Sequence, residues 1–414
     1  MNKDELLEMV MKCNRCGFCQ EVCPTYKTSG NEFQLARGRN KLIRMTLEGV
    51  LNLKEEPELE KYINECLLCG ACVEKCPAGV NTTELIAQMR NETTKIKGLS
   101  LAKRVLLKNV FSDNKKTDRV IKLMRFYQTS GTQSVLTLSD RFKNLDSKLP
   151  DIPKENVRSR LKKLLYRSLD PKEKVGYFLG CSVNNFFPNV AISTIKVLQE
   201  NGYEVLVPET KCCGAPHFSA GNQDEYIKLA QENVEILSCL DTEVIIIDCQ
   251  TCGSMLRDYK ELFKDDETYK IMANKIYDKI IDISTFLLKY GYKKEMGKVT
   301  RRVTYHDPCH GVRYLKVKNA PRKILENIPG IEFVEMDEAD TCCGGAGSYG
   351  IFNPVISKNI INRKIDNFQK TGASIIATSC PACTMQLQSG LKLNEIPGEV
   401  KHPIELLALA YDNR

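Results

Sequence analysis

The chain has 414 residues, 42% of them hydrophobic and 27% charged, which are ordinary proportions for a globular protein of about two to four domains. Its apolar runs, such as VIII (244–247) with its neighbours, are too short to span a bilayer, and the charged start NKDELLEMVMK does not read as an export leader. The outlier is cysteine, 19 of them beside only 4 histidines; in the cytoplasmic, reducing compartment that this start implies, thiols read as metal ligands rather than disulfides.

In chain order, CNRCGFCQEVCP (13–24) and CLLCGACVEKCP (66–77) are one motif written twice. Each is C-x2-C-x2-C-x3-C-P, the spacing that holds 4Fe-4S clusters. Three thiolates on a curled loop cap three corners of a cubane, the proline stops the helix, and the fourth cysteine turns to the other cluster. On that logic Cys13, Cys16, Cys19 and Cys76 bind one cluster, and Cys66, Cys69, Cys72 and Cys23 bind the second. Gly17 and Gly70 let the backbone wrap closely round the sulfides. A lone CxxC would serve zinc equally well, but the triple spacing with its proline, occurring twice, argues for clusters. The intervening NEFQLARGRNKLIRMTLEGVL (31–51) has helical periodicity, which suggests a helical ferredoxin type of domain.

From Leu101 to Val175 there are 19 Lys and Arg against 8 Asp and Glu, a surplus of 11, so the remainder of a +8 chain sits near −3. LAKRVLLKNVF (101–111) and RSRLKKLLYRS (158–168) are helical in apolar spacing and read as a solvated basic linker whose apolar stripe packs on the domains. The alternative for such charge is a docking face for an acidic subunit or anionic headgroups. Nucleic acid is not expected, because no base-reading or stacking motif accompanies it.

The second half repeats with a period near 130: Cys181 aligns with Cys309, Cys212–Cys213 with Cys342–Cys343, and Cys249/Cys252 with Cys380/Cys383, at offsets of 128, 130 and 131. VGYFLG reads as a strand, 189–202 as a helix, YEVLVP as a strand, 224–240 as a helix, and TEVIIID as a buried strand ending at Cys249. Alternating strands and helices predict a parallel sheet, whose carboxyl edge gathers loops from distant segments. Cys181, Cys212, Cys213, Cys249 and Cys252 should meet on one such edge, and Cys309, Cys342, Cys343, Cys380 and Cys383 on another. Each CxxC precedes a helix whose N-terminal amides favour thiolate. Only Cys239 is left over, expected as a core thiol. His217, His306 and His310 stand beside these cysteines and are expected as hydrogen-bonding groups behind the ligands; His402 reads as the start of a helix. TCCGGAGSYG (341–350) also contains GxGxxG, but it follows no strand directly and its counterpart is GAPHFSAG, so the shared element is CCG and no dinucleotide is expected there.

Twin CxxCxxCxxxCP followed by two copies of C…CCG…CxxC resembles the cysteine-rich (CCG) domain iron–sulfur oxidoreductases, and most closely the glycolate-oxidase iron–sulfur subunits among them. ARGR (36–39), YHDPCH (305–310), CCGGAGSYG (342–350), TSCPACTMQL (378–387) and KHPIELLALA (401–410) carry the resemblance. Lactate-utilisation iron–sulfur proteins and the heterodisulfide reductase catalytic subunit look similar. The expected architecture is an α-helical ferredoxin domain with two 4Fe-4S clusters (1–99), a basic helical linker (100–172), and two tandem α/β CCG domains with parallel sheets (173–296 and 297–414). The resemblance implies further clusters at the CCG sites, no flavin or NAD on this chain, and an FAD-containing 2-hydroxy-acid dehydrogenase subunit as partner. It implies electron transfer to a quinone, an electron-transfer flavoprotein or a heterodisulfide reductase-type protein, in the cytoplasm or peripherally on the inner face of the membrane. A catalytic disulfide reductase acting at a CCG-bound noncubane cluster is the second implication.

Overall fold

The computed structural model describes residues 2–112, 114–130, 133, 146, 149–165 and 173–414. Ahead of residue 173 the described residues contain helices and no strand, and no described helix is long and apolar enough to cross a membrane. The segment 31–51 is not one helix: Leu35 is extended and separates a 3-10 turn, Glu32–Gln34, from the helix Ala36–Leu47. The break has a physical cause, because Gly38 rides so close on the Glu32 carbonyl that a Cβ would lie 2.1 Å from it. The helices Lys3–Met11, Ala36–Leu47, Pro57–Asn64 and Thr82–Lys97 close round Leu6, Ile43, Ile63, Leu85 and Ile86, a small apolar core.

Two four-stranded parallel sheets follow. The first joins β1 (Lys174–Tyr177), β2 (Glu204–Leu206), β3 (Ile245–Ile247) and β4 (Ile280–Asp282) in the order β2-β1-β3-β4. The second joins β5 (Arg301–Tyr305), β6 (Ile331–Phe333), β7 (Ile375–Ala377) and β8 (Glu399–Lys401) in the order β6-β5-β7-β8. Both orders reverse direction between the first and third strands, which makes the carboxyl ends of those two strands a crevice. Ile245, Ile246 and Ile247 are all fully buried, as a sheet covered on both faces requires; each such side chain contributes about 1.5–3 kcal/mol. One apolar core runs through both copies, from Val175 and Ile247 to Tyr305 and Leu407, with the helix Pro188–Glu200 packed on Pro403–Asp412.

Two expectations are corrected. Cys239 is exposed, because its helix ends at Ser238 and leaves it as the cap. The basic linker packs its stripe only in part: Leu107 is buried, whereas Leu101, Val105, Leu123 and Phe126 stand in solvent. Residues 166–168 of the second basic segment lie outside the described residues.

Candidate metal centres

The two N-terminal cysteine loops have the same backbone. Arg15 and Leu68, each just before the second cysteine of its motif, take left-handed φ of 55° and 53°, and Gly17 and Gly70, just after it, take 92° and 75°. Two left-handed residues flanking that cysteine curl each loop inward, at a cost of order 1–3 kcal/mol for the non-glycine position. Short helices, Phe18–Val22 and Ala71–Glu74, then carry Cys19 and Cys72. Pro24 does end the first of these, and it also occupies the first turn of the next helix, Pro24–Ser29, where its missing N–H is no loss. Cys19 lies in the field of Cys23 and Cys13, and Cys72 in that of Cys69, Cys66, Cys23 and Cys19, so the two loops stand side by side with Cys23 between them. Cys76 packs against the same apolar cluster as Cys13 and accepts from the Val80 N–H at 3.4 Å. Cys16 is exposed and Cys69 is buried, so one loop faces solvent and the other faces the protein.

In the second half every predicted cysteine leaves a strand at the expected edge. Cys181 and Cys249 follow β1 and β3, Cys309 and Cys380 follow β5 and β7, and the CC pairs lie in the loops after β2 and β6. Cys249 is the N-cap of Gln250–Leu262 and receives the Cys252 N–H at 3.4 Å; Cys380 is the N-cap of Pro381–Leu393. The thiols form one series. Cys181 and Cys212 are 3.5 Å apart, and hydrogen-bonding contacts continue from Cys212 to Cys213, Cys252 and Cys249. From Cys249 the series crosses to Cys380 of the other copy and runs through Cys383, Cys343 and Cys342 to Cys309. The two five-thiol groups therefore meet face to face, related by a pseudo-two-fold exchange of copies. Thr251 adds a contact across the seam, 3.2 Å from the Cys380 sulfur.

The series extends to the ferredoxin module. Cys69 and Cys342 share one apolar cluster with Leu67, Ala71, Tyr349 and Ile360, and burial, with Cys342 next, pushes the Cys69 thiol up to about 12. The junction is fastened by polar groups. Tyr349 and Tyr314 donate to the carbonyls of Glu65 and Leu68 at 2.9 and 3.3 Å. Lys27 meets Glu338 at 2.9 Å. Tyr314 belongs to a π-helical turn, His310–Leu315, a form that marks functional sites, and it abuts Gly70 so closely that a Cβ would lie 2.9 Å from its hydroxyl. On the other flank the buried Arg90 donates to the carbonyls of Ile63, Cys66 and Ser219.

The histidines divide. His217 is held between Asn222 and Ser112 at 3.0 and 3.2 Å and lines a basic cavity of about 320 Å³ with Arg104, Lys108 and Lys228. His310 meets Ser254 of the first copy at 2.6 Å and stacks on Tyr314, placing it at the seam. His306 is fully buried and groups with Cys343 and Cys383; burial pushes it down to about 3, so the ring is neutral. His402 caps the helix Pro403–Asp412, as its position suggests. The glycines of 345–350 serve packing: a Cβ on Gly345 would lie 3.0 Å from Gln386 and 3.5 Å from the Cys343 sulfur. Thr251, Ser254 and Tyr314 went unread in the sequence, because nothing in their spacing announces a seam between copies.

This donor set suits iron–sulfur centres. Burial pushes the Cys72 thiol well up, and contacts from Cys343 and Cys380 with burial push Cys383 up, while Cys213, Cys342 and Cys380 are pushed down by the thiols that face them. Each group thus favours some thiolates at its neighbours' expense, and a cationic metal would let all of them ionise together. Gly180 also leaves the Cys252 sulfur room, since a Cβ there would lie 3.1 Å from it. Fold and cysteine groups together define an iron–sulfur redox protein with a dicluster module and paired cysteine-rich domains. The family models agree: a 4Fe-4S dicluster domain matches residues 9–80, and a cysteine-rich domain, CCG, matches 175–257 and 303–388. The chain is 32% identical over 424 residues to a probable glycolate oxidase iron-sulfur subunit of Bacillus subtilis, covering 98% of this chain and 94% of that one. It is 29% identical to one subunit of the fumarate reductase (CoM/CoB) of Methanothermobacter marburgensis, covering 97% and 72%. It is 28% identical to one subunit of the dihydromethanophenazine:CoB–CoM heterodisulfide reductase of Methanosarcina mazei, covering 96% and 93%. The chain belongs to the cysteine-rich CCG-domain iron–sulfur oxidoreductases, the family of the glycolate/lactate-utilisation and heterodisulfide-reductase proteins.

Proposed function

We propose that the protein is the electron-transfer subunit of a flavin-dependent 2-hydroxy-acid dehydrogenase of the glycolate or lactate type, with an FAD-bearing subunit as donor and a quinone or protein carrier as acceptor. Its parts are a dicluster domain (1–99), a basic linker (100–172) and two CCG domains (173–296 and 297–414). Cys13, Cys16, Cys19 and Cys76 would hold one cluster, Cys66, Cys69, Cys72 and Cys23 the next, and the two five-cysteine sets the remaining centres. Such clusters supply one-electron chemistry. One observation carries the reading: a series of sulfurs leads from Cys69 of the ferredoxin module through Cys342 and the seam at Cys380 and Cys249 to Cys181. The residues of this chain orient those sulfurs, bury those at the seam between the copies, and hold the modules in register through Tyr314, Tyr349 and Lys27. Expression with the products of neighbouring genes should yield a complex containing this chain and a flavoprotein; a fully active dehydrogenase lacking the chain would refute the proposal.

The seam supports a second reading, a disulfide reductase of the heterodisulfide type. Cys249 and Cys380 touch across it, with Thr251 and His310 alongside. If this holds, reduced protein alone cleaves a mixed disulfide and Cys212→Ser or Cys342→Ser abolishes it. Absence of turnover by protein with every centre loaded removes this alternative.

A further inference from the structure

The strands leading into the two CCG sites align residue for residue, KVGYFLGC with RVTYHDPC, and two pairs exchange an apolar side chain for a titratable one: Leu179 for Asp307, which pairs with Arg322, and Phe178 for His306. The last two are both buried, Phe178 at 1% exposure and His306 at 0%. A phenyl ring belongs there without comment; an imidazole brings two polar nitrogens. The His306 backbone N–H is satisfied by the Ala377 carbonyl at 2.9 Å, yet no well-formed hydrogen bond reaches either ring nitrogen; the Ala339 carbonyl acts on the ring more weakly, as a backbone acceptor does behind a metal-ligating imidazole. Leaving such groups unmatched is a cost that folded proteins tolerate only where another interaction compensates. What surrounds the ring is sulfur: its ligand atom and the Sγ atoms of Cys343 and Cys383 all lie within 4.8 Å of one another. That spread suits donors at about 2.0–2.3 Å from a common ion.

We propose that His306 binds iron at the second CCG site through a ring nitrogen, beside Cys343 and Cys383, so that the two copies hold chemically different centres. The first site is all thiolate; in the second, the imidazole takes at iron a position that one of the five thiolates fills in the first. The proposal rests on the iron–sulfur reading above and sharpens it. Exchanging an anionic sulfur donor for a neutral nitrogen raises the reduction potential of iron–sulfur centres. The second site, the one seated on the ferredoxin module through Cys342 and Cys69, is therefore the one that holds an electron more tightly than its twin.

The test uses whole protein grown on 15N-histidine, prepared anaerobically and examined by pulsed EPR during a redox titration. The four histidines are His217, His306, His310 and His402, none of them in the dicluster segment 9–80, so a strongly coupled imidazole nitrogen must come from the second half. We expect that coupling in the wild type, its loss in His306→Phe, its survival in His310→Gln, and a lower midpoint potential for the second-site signal in His306→Phe. That signal is identified by its loss in Cys383→Ser. A second-site signal without strong nitrogen coupling in the wild type overturns the proposal and leaves the iron–sulfur reading standing; the wild-type measurement suffices even if His306→Phe does not fold. Iron and sulfide no higher than the roughly eight of each that two 4Fe-4S clusters contain would sink the CCG part of that reading along with it.

Discussion

The two cysteine-rich copies share strand order, sulfur placement and the tyrosine behind each site, but they handle buried polarity differently. In the first, the Tyr177 hydroxyl donates to Asp248, a buried carboxyl that burial pushes up to about 7, and Thr194 donates to the same oxygen at 3.1 Å. In the second, the equivalent Tyr305 meets the neutral Ser379 at 3.1 Å, and the acid has moved to Asp307, paired with Arg322 at 2.7 Å. The π-helical turn with Arg313 and Tyr314 exists only in the second copy among the described residues, where Cys181–Asn185 is an ordinary helical turn in the first. The two sulfur cradles have different neighbours: the second copy seats the ferredoxin module on its cysteines, while the first meets it away from its cysteines, through Arg90, Thr94, Phe218 and the loop at Gly221.

That contrast can be broken at chosen points. Cys342→Ser should have the largest effect, cutting electron throughput by at least the roughly 10–100-fold that weakening a ligand set costs, measured by reduction of an artificial acceptor by the complex. Arg90→Met removes the guanidinium that ties the carbonyls of Ile63, Asn64 and Cys66 to that of Ser219 in the first copy and should lower stability by about 3 kcal/mol in chemical denaturation. Gly221→Ala, at φ 75° and with a Cβ only 2.4 Å from the Arg90 carbonyl, should cost about 1–3 kcal/mol at the same junction. Glu338→Gln, at the second-copy junction, should cost only about 1 kcal/mol at pH 7. Arg363, with Lys27, holds that carboxyl down to about 2 from an ordinary 4.5. Its contribution is thus complete above pH 4.5 and lost as pH falls toward 2, so wild type and variant should converge over that interval. Cys239→Ser should change stability by no more than about 0.5 kcal/mol, as fits an exposed cap.

Local grammar made much of this legible. The twin C-x2-C-x2-C-x3-C-P loops, the strands before Cys181, Cys249, Cys309 and Cys380, and the helices after each CxxC were all readable, because each depends on short-range spacing and periodicity. The break at Leu35 was missed because it comes from Gly38 packing on the Glu32 carbonyl, a close approach that leaves helical periodicity intact. Cys239 was misplaced by one residue of helix length, enough to move it from core to solvent. The seam at Cys249 and Cys380 and the seating of Cys69 on Cys342 were invisible, since they depend on how finished surfaces meet.

The shared interior of the two copies has a bearing on biogenesis. Cys213, Cys252, Cys343 and Cys383 are each less than 8% exposed, and Cys249 and Cys380 close over the seam between them. Whatever metal these thiols take up would have to reach them before the two copies close on each other, so chain folded without it should load far more slowly than chain that folds in its presence.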